Sequence, residues 1–142
     1  MRFMVIVKSN KDSEAGRLPR EEELVEMGAF NDELIKAGIM LTGEGLQASS
    51  KGARIDLTGD KPKVTDGPFT ETKELIGGFW MVQVKSKEEA IEWFKRCPKS
   101  AGVLELRQVF ESTDFEPVIK TDAGREMLEK EDAFRDIQAN RA

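Results

Sequence analysis

Val64-Thr65-Asp66-Gly67-Pro68-Phe69-Thr70-Glu71-Thr72-Lys73-Glu74-Leu75-Ile76-Gly77-Gly78 lies near the midpoint of the 142-residue chain. Its first half sets an acidic residue, a glycine, a proline and an aromatic ahead of a run of polar and charged side chains. Such a mixture is too turn-rich for a core: Pro68 pushes Gly67 toward extended backbone, and Asp66 can accept a backbone N–H inside the turn. Before it, Ala53–Leu57 and Lys63–Thr65 read as a hairpin across Thr58-Gly59-Asp60-Lys61, with Pro62 marking an edge. After it, Phe79–Val84 is a strongly apolar strand. The stretch is therefore a loop that delivers a hairpin into the sheet.

Working outward, Phe3–Val7 is a continuous apolar run and predicts a central strand buried on both faces. Ser9–Leu18 reads as a polar loop. Pro19 then opens a helix in which Leu24, Met27, Phe30, Leu34 and Ile35 recur at helical spacing, with Gly38 as its stop. Ile39–Leu46 is a strand interrupted by Gly43 and Gly45, and Gln47–Gly52 is a loop. On the other side, Ser86-Lys87-Glu88-Glu89 has the capping-box form and starts a helix carrying Ala90, Ile91, Trp93, Phe94 and Cys97, which Pro98 ends. Val103–Phe110 is the last strand, with Glu105 and Arg107 on one face. Asp122–Ala139 is helix-prone and weakly amphipathic. The order is a split βαβ: an α+β domain with one antiparallel sheet and two helices on one face, over residues 1–111, and a helical tail over 112–142. Two helices leave the second sheet face to be covered by something else, most simply the sheet of a second copy, so a homodimer is expected. The tail is expected to dock loosely, given its few apolar groups.

Composition narrows the function. Apolar residues make up 39% and charged residues 35%, and the net charge of −5 argues against direct nucleic-acid or anionic-membrane binding, which needs clustered cations. No apolar run is long enough to span a bilayer, and the start is too short for a signal core, so a cytoplasmic location is expected. One cysteine, Cys97, precludes an intrachain disulfide and is expected to pack as a small hydrophobe. There is no histidine and no tyrosine. That removes Ser-His-Asp and Cys-His systems and His-based metal sites, and leaves acid/base work to Asp, Glu, Lys or Cys97. No phosphate-binding glycine loop and no Cys-x-x-Cys is present, so no cofactor, nucleotide or tightly held metal is expected.

The chain resembles the YCII-related proteins, and within them the DGPF-domain subgroup. The resemblance is carried by Gly43-Glu44-Gly45-Leu46, Asp66–Glu74, Gly77-Gly78-Phe79, Glu89-Ala90-Ile91-Glu92-Trp93, Cys97-Pro98 and Glu105-Leu106-Arg107. It implies a ferredoxin-like domain that dimerises into an α+β barrel, and the DGPF subgroup is associated with alternative sigma factors. The wider family includes a small dechlorinating enzyme and members with a proposed His–Asp pair. This chain has no histidine to place in such a pair.

Seven residues stand out as site candidates. Asp66, Glu71 and Lys73 are the catalytic ones: Asp66 reads either as a turn residue or as a pocket base, and the charges after it either as a solvated loop or as a cleft mouth. Glu44, Arg54, Phe69 and Arg107 are the ligand-binding ones. Glu44, between two glycines, marks a bulge or a ligand contact. Arg107 and Glu105, if interior, need pairing with each other, with Glu44 or with Arg54. Trp80, Trp93 and Phe94 read as core. Two functions remain open: a module binding an unidentified small molecule, with a regulatory role, or a cofactor-independent enzyme with Asp66 or Glu71 as general base.

Overall fold

The computed structural model describes residues 1–140, and it divides into two compact units, Met1–Gln108 and Val109–Ala142. The first unit holds strands β1 (Arg2–Lys8), β2 (Met40–Gly45), β3 (Ala53–Asp56), β4 (Lys63–Asp66), β5 (Ile76–Gln83) and β6 (Leu104–Gln108), with helices α1 (Lys11–Glu14), α2 (Glu21–Lys36) and α3 (Lys87–Phe94). Strands β2, β5, β1 and β6 form, in that order, one antiparallel sheet. That order is the ferredoxin-like split βαβ, and the fold is α+β. The hairpin β3–β4 does not join the sheet, as a single-sheet arrangement would require; it forms a two-stranded sheet of its own, exposed along its length. Ile55 and Val64 face each other across it and are 65% and 63% exposed, so neither strand has the apolar burial that would draw it into the main sheet.

Alternation decides what the main sheet buries. Phe3 and Val5 of β1 and Trp80 and Val82 of β5 point to one side, where they meet Phe30 and Leu34 of α2 and Ala90 and Phe94 of α3 in one core. Both long helices therefore lie on this face. Phe30, Trp80 and Phe94 make three edge-on contacts at 5.2 to 6.2 Å between ring centroids, a geometry that adds about 0.5–1.5 kcal/mol per pair beyond area. On the other face, Phe79, Ile6, Met81 and Met4 are only half-buried, so β1 is central in the sheet without being fully buried on both sides.

Local chemistry accounts for the helix boundaries. Gly38, at φ 73°, closes α2: its N–H reaches the Ile35 carbonyl while the Ile39 N–H reaches that of Leu34, the paired bonds of a Schellman stop. Pro19 stands just outside α2, whose N-cap is Arg20, with Glu21, Glu22 and Glu23 filling the first turn. Ser9–Leu18 is not a plain loop, because Asn10 caps the short α1 by accepting the Ser13 N–H at 2.8 Å. Ser86 accepts the Glu89 N–H at 3.1 Å, but the Glu89 carboxylate bonds the Lys85 N–H rather than that of Ser86, so the capping box is half formed. Strand β5 begins at Ile76 rather than Phe79, taking in Gly77 and Gly78: a Cβ on Gly78 would lie 2.8 Å from the Glu44 carbonyl.

The second unit comprises a 3₁₀ turn, Ser112–Val118, and helix α4 (Asp122–Ala139), capped by Thr121. Strand β6 stops at Gln108, and Phe110, expected on it, stacks on Phe115 at 4.9 Å. Ser112 donates to Asp132 at 2.7 Å, tying the 3₁₀ turn to α4. Of the four large apolar residues of this helix, Leu128 is buried while Met127, Phe134 and Ile137 are exposed. Arg141 and Ala142, the end of the predicted tail, lie outside the described residues. No helix among the described residues is long and apolar enough to cross a membrane.

Candidate functional site

Where β1, β2 and β5 end beside the first half of α2, the sheet opens into a cleft of about 730 Å³ within the first unit. Leu24, Met27 and Asn31 of α2 form one wall, and Gly43, Gly45, Gly77, Gly78 and Trp80 form the opposing floor. The volume falls within the ~300–1,000 Å³ usual for small-molecule sites. Glycine here serves close approach. A Cβ on Gly43 would come within 2.9 Å of the Trp80 ring and 2.7 Å of the Met40 methyl, whereas one on Gly45 would meet nothing within 4 Å and would extend into free space. Trp80 is at once a core residue and a cleft wall, and its indole N–H donates to Asn31 Oδ1 at 2.8 Å.

The rim is charged but internally neutralised. Arg17 pairs with Asp12 at 3.2 Å and Arg20 with Glu23 at 3.0 Å, while Lys8 pairs with Glu105 at 3.4 Å. Glu44, the one expected ligand contact among the lining residues, sits opposite Phe79 in the β2–β5 ladder and has no cationic partner among the described residues. The irregularity in β2 falls between Met40 and Thr42, so Glu44 is in regular register and is not the bulge.

The other candidates gather elsewhere. Arg54 lays its guanidinium over the Phe69 ring, 3.9 Å from the centroid, and reaches Glu71 at 3.4 Å, both groups being about half exposed. The Glu71 carboxyl is held below the usual range, first by hydrogen bonding to its own backbone and then by the Arg54 charge. Asp66 ends β4 opposite Ala53, exposed, and its carboxylate accepts no hydrogen bond from a described residue. Lys73 is exposed on the following turn. Arg107 contacts Glu105 at 3.5 Å on β6; Lys8 and Arg107 together hold the Glu105 carboxyl low, with the Lys8 hydrogen bond the larger cause. None of Asp66, Glu71, Lys73, Arg54, Phe69 or Arg107 lines the cleft.

What the Asp66–Phe69 turn does instead is visible in its bonds. The Phe69 N–H donates to Ser49 Oγ at 2.9 Å, the Gly67 N–H donates to the Gly52 carbonyl, and the Gly67–Pro68 peptide is cis. Ser49 is in turn gripped by Glu14, which accepts its N–H at 2.9 Å and its hydroxyl at 2.5 Å. A Cβ on Gly67 would lie 1.8 Å from the Ser49 carbonyl oxygen, a position that only glycine can occupy. The partner that fastens the turn is therefore Ser49, not Asp66.

Asn31 went unremarked in the helix pattern although a signal was present. It stands between Met27 and Leu34, a polar residue at a 4-3 spacing whose neighbours on that stripe pack in or against the core. Cys97 is half-buried, and burial pushes its thiol up to about 11. Among the described residues no cluster of three or more His, Cys, Asp or Glu is arranged to hold a metal ion.

A family model for the YCII-related domain matches residues 1–113. An uncharacterised protein of Rhizobium meliloti (strain 1021) is 25% identical over 112 residues, spanning 75% of this chain and 90% of that protein. Among solved structures, a 5-chloro-2-hydroxyhydroquinone dehydrochlorinase of Burkholderia phenoliruptrix AC1100, in complex with 2,5-dihydroxybenzoquinone, superposes with a TM-score of 0.44 at 15% identity. That match covers 80% of this chain and 98% of the other.

Proposed function

The chain belongs to the YCII-related family, and we propose that within it this protein is a DGPF-type, small-molecule-binding module whose ligand occupies the cleft beside α2. The observation that carries this reading is the cleft itself, a glycine-floored space of about 730 Å³ with Leu24, Met27, Asn31 and Trp80 on its walls and charged residues at its rim. Binding ranks ahead of catalysis by Asp66 or Glu71. Both carboxylates lie off the cleft, and Glu71 is made more acidic by its surroundings, which weakens it as a base near neutral pH. A regulatory role and a cytoplasmic location accompany this reading.

Substituting Gly45 tests it. A side chain at this position would project into the cleft from a backbone with room for it, since nothing lies within 4 Å of the added Cβ. Gly45→Leu is expected to keep a melting temperature close to that of the parent and to lose binding of small organic fragments in ligand-observed NMR. Unchanged fragment binding by a folded Gly45→Leu protein would refute the cleft as the site.

The half-buried sheet face supports a homodimer as part of the same proposal. Glu44, Phe79, Ile6 and Glu105 form one row across it, and Thr42, Met81, Met4 and Arg107 the next. Four apolar side chains flanked by charge at each edge make a patch suited to a second sheet of the same kind.

A further inference from the structure

We propose that Asn31 is the specificity-determining residue of the cleft and that it selects a ligand with a neutral carbonyl-type acceptor on a small apolar body. The inference rests on the cleft being a ligand site. An indole N–H can only donate, so the Asn31 atom 2.8 Å from Trp80 Nε1 is the amide oxygen. The opposite end of that amide, Nδ2, is thereby fixed in orientation, and no acceptor among the described residues takes its hydrogens. Asn31 is half-buried and lines the cleft between Met27, Leu24 and the Trp80 ring. The result is a pre-oriented two-hydrogen donor set beside the apolar side chains of Leu24, Met27 and Trp80. A ligand acceptor placed against it forms its bond without the cost of ordering the side chain.

Charge decides between a neutral acceptor and an anion. Every cation on the rim is already engaged: Arg17 by Asp12, Arg20 by Glu23, Lys8 by Glu105. An incoming carboxylate would find each rim cation already paired with an acid, whereas a carbonyl needs only the amide hydrogens. The glycine floor places no side-chain donor opposite Asn31, so beside the Trp80 ring it is the Asn31 amide that offers hydrogens to an acceptor.

Four probes of one carbon skeleton separate the possibilities: acetophenone, ethylbenzene, benzoate and 1-phenylethylamine. Each is titrated into the full chain while the Asn31 side-chain amide and Trp80 indole resonances are followed by NMR. Acetophenone is expected to shift the Asn31 amide protons, and to bind more tightly than the other three. In Asn31→Asp the side chain still accepts the Trp80 N–H but loses the donor, so acetophenone affinity should fall about tenfold, the worth of one good hydrogen bond, with ethylbenzene unaffected. Equal binding of acetophenone and ethylbenzene to the parent protein overturns the inference while leaving the cleft as a site, and so does benzoate binding tightest. Failure of every probe to perturb either resonance at millimolar concentration overturns both the inference and the cleft reading. Should Asn31→Asp not fold, the parent protein decides alone: an Asn31 amide shift with acetophenone and none with ethylbenzene is required.

Discussion

Arg54, Phe69 and Glu71 show how a site-like cluster arises from surface chemistry. A guanidinium stacked on a half-buried ring contributes about 0.5–1 kcal/mol, and the ion pair beside it is screened by water. The Glu71 carboxyl is nonetheless held low in the folded state, by its own backbone first and by Arg54 second. A depressed folded-state value means that the associated stability is present above the ordinary glutamate range and is lost as pH falls through the folded value. An NMR titration of the Glu71 side-chain carboxyl should therefore give a midpoint below that of a free glutamate. In Arg54→Gln it should move up only part of the way, because the larger cause remains. A full return to the free value would place the whole effect on Arg54. Cys97 makes the complementary case. Its thiol is raised to about 11 by burial alone, so thiolate is scarce at neutral pH. Labelling by a thiol-reactive disulfide reagent should be slow in the native protein at pH 8 and fast after unfolding. Rapid native labelling would mean that the thiol is not buried as described.

The hairpin and the turn after it are held as one element by a relay, Glu14 to Ser49 to Phe69, which joins three loops distant in sequence. Ser49→Ala removes the hydroxyl that links them and leaves a half-buried carboxylate with one bond fewer. A loss of about 1–3 kcal/mol is expected in denaturant unfolding. Gly67→Ala should cost at least as much, since its methyl would overlap the Ser49 carbonyl and force the turn away from it. Normal stability of Gly67→Ala would show that the turn has another conformation available. The glycine and proline of this turn were legible as turn formers from residue type alone. That Gly67 is required by a serine 18 positions earlier was not, because no local rule relates the two segments. The same limit explains the capping residues: Ser86 and Gly38 act on neighbours in the chain and were readable, while the isolation of β3–β4 from the main sheet depends on burial that the hairpin pattern does not encode.

At the scale of the whole molecule, the half-buried face of the main sheet bears on assembly. If a second copy covers it, sedimentation should find a dimer at micromolar concentration, and Ile6→Asp or Phe79→Asp should shift the population toward monomer by burying an unpaired charge in the contact. A monomer in the parent protein would remove the proposed homodimer. The chain's own pattern determined the split βαβ order, the helix stop at Gly38 and the extent of α4, because hydrophobic periodicity and caps are local and cooperative, whereas α3 ends at Phe94, short of Cys97 and the expected stop at Pro98. It also determined, through the absence of histidine, that these 142 residues form no His-based pair. The site was another matter. Only the tertiary structure brought Asn31 of α2 against Trp80 of β5 and opened the sheet end above Gly43, Gly45, Gly77 and Gly78, while setting the conspicuous Asp66–Lys73 charges outside that space. A cleft is made by the spacing between elements, and that spacing follows from core packing rather than from any stretch of residues read alone.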